Sequence, residues 1–370
     1  MATPRDIFNL SGPLHLTTVN WEDTNHRRAV AASLVKGVYS LEHDRQQKRQ
    51  GPQALAPPWW DFFNFQLVHV LVDNADLSIF GAIYEFKFPA SYSYGMAPNP
   101  PRYVIAFRGT INRPDTRCQD LKLDLQFICN RLQNSSRFQL AMQEVENMAA
   151  VAGAANIWLA GHSLGSAIAL LAGKNMVKMG CPTETYLFNS PFISAPVEQF
   201  EDRKLKHGIR FARSVIKAGV AVALKDRQQR RRENDTFVAL SAWVPYMFVN
   251  PSDPICSEYI GYFQHREMMV ELGAGGIEKL ATQNSIRNSI GSLFSSGKES
   301  EPLHLLPSAH LTINLSPSED FKRAHGLRQW WSPNLYSQSK LHQFSRNFFG
   351  PQLHNRNGLM PENVNAIVKL

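Results

Sequence analysis

The sequence predicts an α/β protein with a mostly parallel central sheet covered by helices on both faces. Two observations carry this expectation. From Tyr103 onward, apolar runs of strand length alternate with segments of helical periodicity. The runs Tyr103 to Phe107 (YVIAF), Asn156 to Ala160 (NIWLA) and Val244 to Val249 (VPYMFV) are nearly continuous in apolar character, as expected for strands buried on both faces. The composition allows such a core: 44% of the 370 residues are apolar and 19% charged. A chain of this length is compatible with one α/β unit.

The elements follow in order. Asn20 to Asp44 opens on a capping-type residue and carries Val30, Leu34, Val38 and Leu41 at helical spacing, so it reads as an amphipathic helix. Gln46 to Pro58 is polar and then proline-rich, a loop. Phe65 to Val72 and Ser78 to Phe88 read as paired strands joined through Asp73, Asn74, Ala75 and Asp76. Pro89 to Arg102 is a loop that leads into the strand at Tyr103. Leu121 to Leu132, Ser135 to Val151 and Ser166 to Lys178 read as helices, with Thr185 to Asn189 (TYLFN) a further strand. Two insertions break the alternation: a basic segment over 194–240, and Ala281 to Pro302, a Ser-, Asn- and Gly-rich surface loop. The expected layout is a helical arm over 1–60, a sheet core over 61–190, the basic insertion, a further sheet segment over 241–335 and a C-terminal tail over 336–370.

The segment Gly161-His162-Ser163-Leu164-Gly165 carries the chemistry. It directly follows the strand NIWLA and directly precedes the helix SAIALLAGKNM. A nucleophile elbow needs that strand-turn-helix setting, with small residues two before and two after the serine. Gly161 and Gly165 meet the demand, and the start of the helix favours a developing oxyanion. The elbow context points to the α/β-hydrolase fold. A serine hydroxyl is a weak nucleophile and needs a base oriented by an acid, in the chain order Ser, Asp or Glu, His. Asp253 fits the acid, because VPYMFV ends and Asn250-Pro251-Ser252-Asp253-Pro254 turns at once. Asp226 and Asp235, in or beside the charged segment, are weaker rivals. Six histidines follow: His265, His304, His310, His325, His342 and His354. Spacing separates them poorly. It favours His325, which sits before Gly326 and just after a helix capped by Ser318.

Val104 to Thr110 (V-I-A-F-R-G-T) together with G-H-S-L-G resembles the class 3 lipases, the fungal-lipase-like branch of the α/β-hydrolases, and within them the soluble plant members. The resemblance runs from about Tyr103 to Trp331. The ending A-H-G-x-x-Q-W-W, Ala324 to Trp331, looks like this plant subgroup and strengthens His325 as the base. The resemblance implies an oxyanion hole from Thr110 and the backbone N–H of Leu164. Thr110 follows a strand end, where α/β proteins bind ligands. The family's Asp-Trp after Gly-Thr is replaced by Pro114-Asp115-Thr116-Arg117, where Asp120 and Asp124 could take over its structural role. Its F-G-x-P reads Phe188-Asn189-Ser190-Pro191 here. No Gly-Asp-Ser-Leu block occurs near the start, so a GDSL-type label does not fit. The expectation is a carboxylesterase or triacylglycerol-lipase type of hydrolase that acts on lipid-like acyl esters through Ser163, Asp253 and His325. The rival expectation is a lipase-like scaffold without turnover.

No metal or organic cofactor is implied, since neither H-E-x-x-H, a Cys/His cluster nor a phosphate-binding Gly loop occurs. The four cysteines form no C-x-x-C pair and read as reduced, buried thiols. The net charge is +8, but Glu201 to Glu233 alone contributes +7, with eleven Lys or Arg against four Asp or Glu. The charge is local, so no nucleic-acid partner is expected. Arg203, Lys206, Arg210, Arg213 and Lys217 fall on one helical face. Two readings stand: a solvated helix packed on the sheet, or a lid or docking face for an anionic membrane. No signal-peptide pattern and no membrane-spanning apolar run is present, so the expected location is cytoplasmic, with or without peripheral membrane contact.

Overall fold

A computed structural model describes residues 8, 12–88, 100–111, 131–192, 236–271 and 305–343, and between 112 and 130 only Lys122, Asp124, Leu125, Ile128 and Cys129. Residues 194–235 of the basic segment, with Arg203, Lys206, Arg210, Arg213, Lys217, Asp226 and Asp235, lie outside the described residues, as do the loop 281–302, Cys118, Asp120, His304 and His354.

Eight strands form one sheet in sequential order: β1 (Phe65–Val72), β2 (Ile79–Phe86), β3 (Tyr103–Phe107), β4 (Ile157–His162), β5 (Glu184–Phe188), β6 (Tyr246–Val249), β7 (Ala309–Asn314) and β8 (Ser337–His342). Strands β3 to β7 run parallel, while β1, β2 and β8 add antiparallel edges. This is the predicted α/β-hydrolase architecture. Among the helices are α1 (Thr24–Gln46), α2 (Ser136–Ala152), α3 (Leu164–Lys178), α4 (Glu258–Glu271) and the short α5 (Phe321–His325).

The period-two alternation of each strand divides the core into two layers. Ile105, Phe107, Ile157 and Leu159 face the layer that holds α2 and α3. Val104, Ala106, Trp158 and Ala160 face the layer that holds α1 and Trp330. Each valine, leucine, isoleucine or phenylalanine among them contributes roughly 1.5–3 kcal/mol by leaving water, and each alanine less. The expected N-terminal arm is therefore part of the core, since α1 packs across β2 to β5. Its buried acids are tied down. Asp44 accepts from the backbone N–H groups of Leu55 and Ala56, at 2.9 Å each, and Glu42 accepts from Ile79 N–H at 2.8 Å.

Most predicted elements are present within a few residues. The turn between β1 and β2 is closed by Asp73 and Asp76, which accept from the backbone N–H groups of Ala75 and Ser78. Two strands lacked a sequence signal. β7 was not separated from its Pro-bounded surroundings, and β8 lies in the expected C-terminal tail. The sequence of β8, SQSKLH, has no apolar alternation because it is a polar edge that exposes Lys340 and its neighbours. One cysteine departs from the expectation of burial. Cys129 and Cys256 are buried free thiols, but Cys181 is exposed, in the turn between α3 and β5. Asp124 is exposed on a helical segment. No helix among the described residues is long and apolar enough to cross a membrane.

Candidate active site

The register of the parallel strands brings their carboxyl ends level: Phe107 pairs with Gly161, His162 with Phe188, and Phe188 with Phe248. The residues that follow these ends therefore emerge along one edge. They are Arg108-Gly109-Thr110 after β3, Ser163 after β4, Asn189 after β5 and the turn to Asp253 after β6.

β4 continues through His162, and α3 begins at Leu164, two residues before the predicted start, because Ser163 itself is the junction. Ser163 holds φ 54° and ψ −124°, outside the ordinary regions for a residue with a side chain. Packing enforces this turn. A methyl group on Gly161 would fall 2.2 Å from the carbonyl oxygen of Gly165, and one on Gly165 would fall 2.3 Å from that of Phe107. The β3 end crosses just as closely: a methyl group on Gly109 would sit 2.7 Å from Ser163 Cβ. Thr110 follows, exposed beside the elbow. Leu164 is buried, and as the first residue of α3 its N–H has no acceptor within the helix.

Asp253 is fully buried, and its Oδ2 lies 2.8 Å from His325 Nδ1. A carboxylate only accepts, so Nδ1 carries the proton and His325 Nε2 is left as an acceptor. Oδ2 also accepts from Asn189 Nδ2 at 2.7 Å and Cys256 Sγ at 3.2 Å, and Oδ1 accepts from Ile255 N–H at 3.1 Å. Burial alone pushes the Asp253 carboxyl up. The charge of His325 and the hydrogen bonds from His325, Asn189 and Cys256 outweigh it and hold the group below the usual carboxylate range.

Of the other histidines, His310 lies near the start of β7, paired with Tyr246 at the start of β6, so it sits at the opposite end of the sheet from Asp253. His342 on β8 pairs with Glu267, and His265 is buried on α4. Among the described residues, His325 is the one joined to Asp253.

Several supporting residues had no signal of their own in the sequence. His162 accepts from the Tyr39 hydroxyl at Nδ1 (2.8 Å), and its Nε2–H donates to the backbone oxygen of His325 (2.7 Å). Tyr39 in turn accepts from Gly109 N–H at 2.8 Å. One chain of hydrogen bonds thus links α1, the β3 end, the elbow and the histidine loop. Burial, helped by the charge of His325, pushes His162 down to about 3, which keeps it neutral in this role. The block Ala324 to Trp331 also acquires a physical meaning. Gln329 Nε2 donates to the carbonyls of Ala324 (2.7 Å) and Gly326 (2.8 Å) on either side of His325. Its Oε1 accepts from Asn250 (2.8 Å) and Asn314 (2.7 Å). Trp330 Nε1 donates to Asn189 Oδ1, and the Trp330 carbonyl accepts from Arg28 Nε. No cluster of residues able to hold a metal ion occurs among the described residues.

Comparison with known proteins agrees with this architecture. The lipase (class 3) family matches residues 104–198, a span that contains the β3 end and the elbow. The chain is 47% identical over 354 residues to an Arabidopsis thaliana protein named "GDSL esterase/lipase", with 93% of this chain and 99% of the relative covered. The elbow of the present chain nevertheless reads G-H-S-L-G. A solved structure of the esterase Est22 is similar over 79% of this chain and 90% of that one, at 13% identity and a TM-score of 0.28, too loose a likeness to carry an argument. On the family match and the near full-length relative, the chain belongs to the class 3 lipase family of α/β-hydrolases.

Proposed function

We propose that this protein hydrolyses carboxylic esters of lipid-like acyl substrates through an acyl-enzyme. The observation that carries the reading is the 2.8 Å hydrogen bond between Asp253 and His325, at the sheet edge where the strained Ser163 turn emerges. Ser163 Oγ attacks the ester carbonyl carbon and its proton passes to His325 Nε2. The tetrahedral oxyanion is met by the N–H groups of Thr110 and Leu164. Its collapse breaks the bond to the alkoxide, which takes the proton from His325 and leaves as the alcohol. Water, deprotonated by His325, then attacks the acyl-enzyme, releasing the carboxylic acid and restoring Ser163. Asp253 stays ionised, holds the Nδ1–H tautomer of His325 and stabilises its cation. The name of the Arabidopsis relative supports an ester substrate.

The basic segment supports a second element of the proposal. Its five cations, spaced in the sequence at the period of a helix, would hold a cytoplasmic enzyme against an anionic membrane. A fluorophosphonate probe tests the core reading. The purified protein should be labelled and should hydrolyse p-nitrophenyl esters, and Ser163→Ala should abolish both. Absence of labelling and turnover in the wild type would favour a non-catalytic scaffold.

A further inference from the structure

We propose that Asn189 is a positioning residue for the Asp253–His325 pair: its amide clamps the acid to the segment that carries the base, and Trp330 sets the amide's orientation. The inference rests on the roles of Asp253 and His325 given under Proposed function, and adds a fourth participant.

Asn189 follows β5 directly and is fully buried. It adopts φ 48°, the left-handed region that glycine enters freely and asparagine tolerates. Glycine, which the family pattern carries at this point, would satisfy the backbone. The side chain therefore has a use other than making the turn. Its orientation follows from its partners. Trp330 Nε1–H can only donate, and it lies 2.7 Å from Oδ1, so the oxygen faces the indole. The NH2 group must then face the other way. There it donates to Asp253 Oδ2 at 2.7 Å and to the Ala324 carbonyl at 3.0 Å.

Two segments far from Asn189 in sequence converge on this amide: the acid turn after β6, and the histidine loop, which meets it at Ala324 just before His325 and again at Trp330. Asp253 Oδ2 accepts from Asn189 and from His325 Nδ1 at once. The amide thereby fixes the carboxylate rotamer that receives the imidazole. By holding the neighbouring carbonyl of Ala324, it also fixes the backbone from which the imidazole projects. A donor to an ionised carboxylate in a site closed to water is a strong interaction of its kind. Its loss frees Asp253 to bind a proton at higher pH and to pull harder on the proton shared with His325. Both changes move the acid limb of kcat/KM to higher pH.

The test uses the full chain as wild type, Asn189→Gly and Asn189→Asp, with active sites counted by fluorophosphonate titration and p-nitrophenyl butyrate kinetics followed across the acid limb. Asn189→Gly keeps the backbone conformation and removes the amide. It should lower kcat per labelled site by at least about tenfold, the scale of one charge-assisted hydrogen bond, with KM little changed and the acid limb at higher pH. Asn189→Asp keeps the shape but turns the donor into an acceptor against Asp253, and should lose more. A merely structural role would reduce the labelled fraction and leave the per-site kcat and the acid limb in place. Wild-type values of both in the two variants overturn the proposal. If neither variant folds by circular dichroism, Trp330→Phe decides. It releases the amide's orientation without removing it, so a smaller shift of the acid limb in the same direction supports the proposal, and an unmoved limb overturns it. A wild type that neither labels nor turns over brings down the Proposed function reading and this inference with it, a result distinct from an active wild type with unaffected variants.

Discussion

The elbow and the histidine loop meet at the same sheet edge but are held in place in different ways. The elbow runs from β4 through Ser163 into α3 without interruption. Its strand, its two glycines and its Ala-rich helix are sequence neighbours, and the contacts that force the turn lie between Gly161, Gly165 and the adjacent end of β3. The histidine loop has one five-residue helix and one 3₁₀ turn, Leu327–Trp331. Such short helices are not stable on their own. Distant side chains hold the loop instead. His162 reaches the His325 carbonyl across 163 positions, and Arg28 reaches the Trp330 carbonyl across 302. The proposed nucleophile is thus positioned mainly by local sequence, and the proposed base by tertiary contacts.

Substitutions at the chemistry itself put the greatest strain on this comparison. Ser163→Ala should remove probe labelling and ester hydrolysis with thermal stability preserved, because it deletes one hydroxyl from a turn made by backbone packing. Substantial p-nitrophenyl ester activity in the pure mutant would end the assignment. His325→Ala should lower kcat by about 10³-fold or more, through loss of the general base. His310→Ala, at the other end of the sheet, should keep most of the activity, and the reverse pattern would move the base to His310.

Next in size is Gly161→Ala. Its methyl group would fall 2.2 Å from a backbone oxygen, which cannot move aside as a flexible side chain can. The expected loss is at least about 4 kcal/mol, read by urea denaturation or as failure to fold. A near-native midpoint would show the elbow to be looser than its packing implies.

His162 joins the two regions, and a milder, pH-dependent effect is expected there. Its folded-state value is depressed from 6.5 to about 3. Between those values the unfolded chain binds a proton that the folded chain does not, so stability falls as pH drops from 6.5 toward 3. At pH 5 this amounts to about 2 kcal/mol relative to neutral pH. His162→Gln should therefore have a melting temperature that changes less between pH 7 and pH 5 than that of the wild type. Equal changes in the two proteins would show that His162 is not held neutral. Asp253, held below its usual range, adds stability that is present above its unfolded value near 4 and is lost as pH falls through its lower folded value.

The smallest effect on chemistry is expected outside both regions. Changing Arg203, Lys206, Arg210, Arg213 and Lys217 together to Gln should weaken co-sedimentation with anionic liposomes at low salt and leave hydrolysis of a short soluble ester unchanged. Each cation near such a surface is worth roughly 1 kcal/mol, and salt screens the attraction. Equal sedimentation of wild type and variant at low salt would show that these cations do not dock the membrane.

Legibility in the sequence followed the same local and non-local division. The strands β1 to β6 and helices α1 to α3 were readable because burial on one or both faces imposes a period on neighbouring residues. Asp253 was readable because a strand ended just before it. Spacing favoured His325 but separated it poorly from five other histidines, and the family resemblance strengthened it. Asn189 was visible only as a departure from a family pattern and Gln329 only as one position of the A-H-G-x-x-Q-W-W block, and Tyr39 carried no signal as a site residue, since a helical tyrosine is commonplace until its partners are known.

By itself, then, the sequence determined the α/β alternation, the Ser163 elbow and the strand ends that would face a substrate, because each depends on residues close together in the chain. The tertiary structure decided that His325 meets Asp253, that His310 lies at the opposite end, that α1 enters the site through Tyr39 and that Asn189 bonds the acid. These depend on strand order and register, which set how residues more than sixty positions apart meet, and no local period or propensity encodes such a meeting.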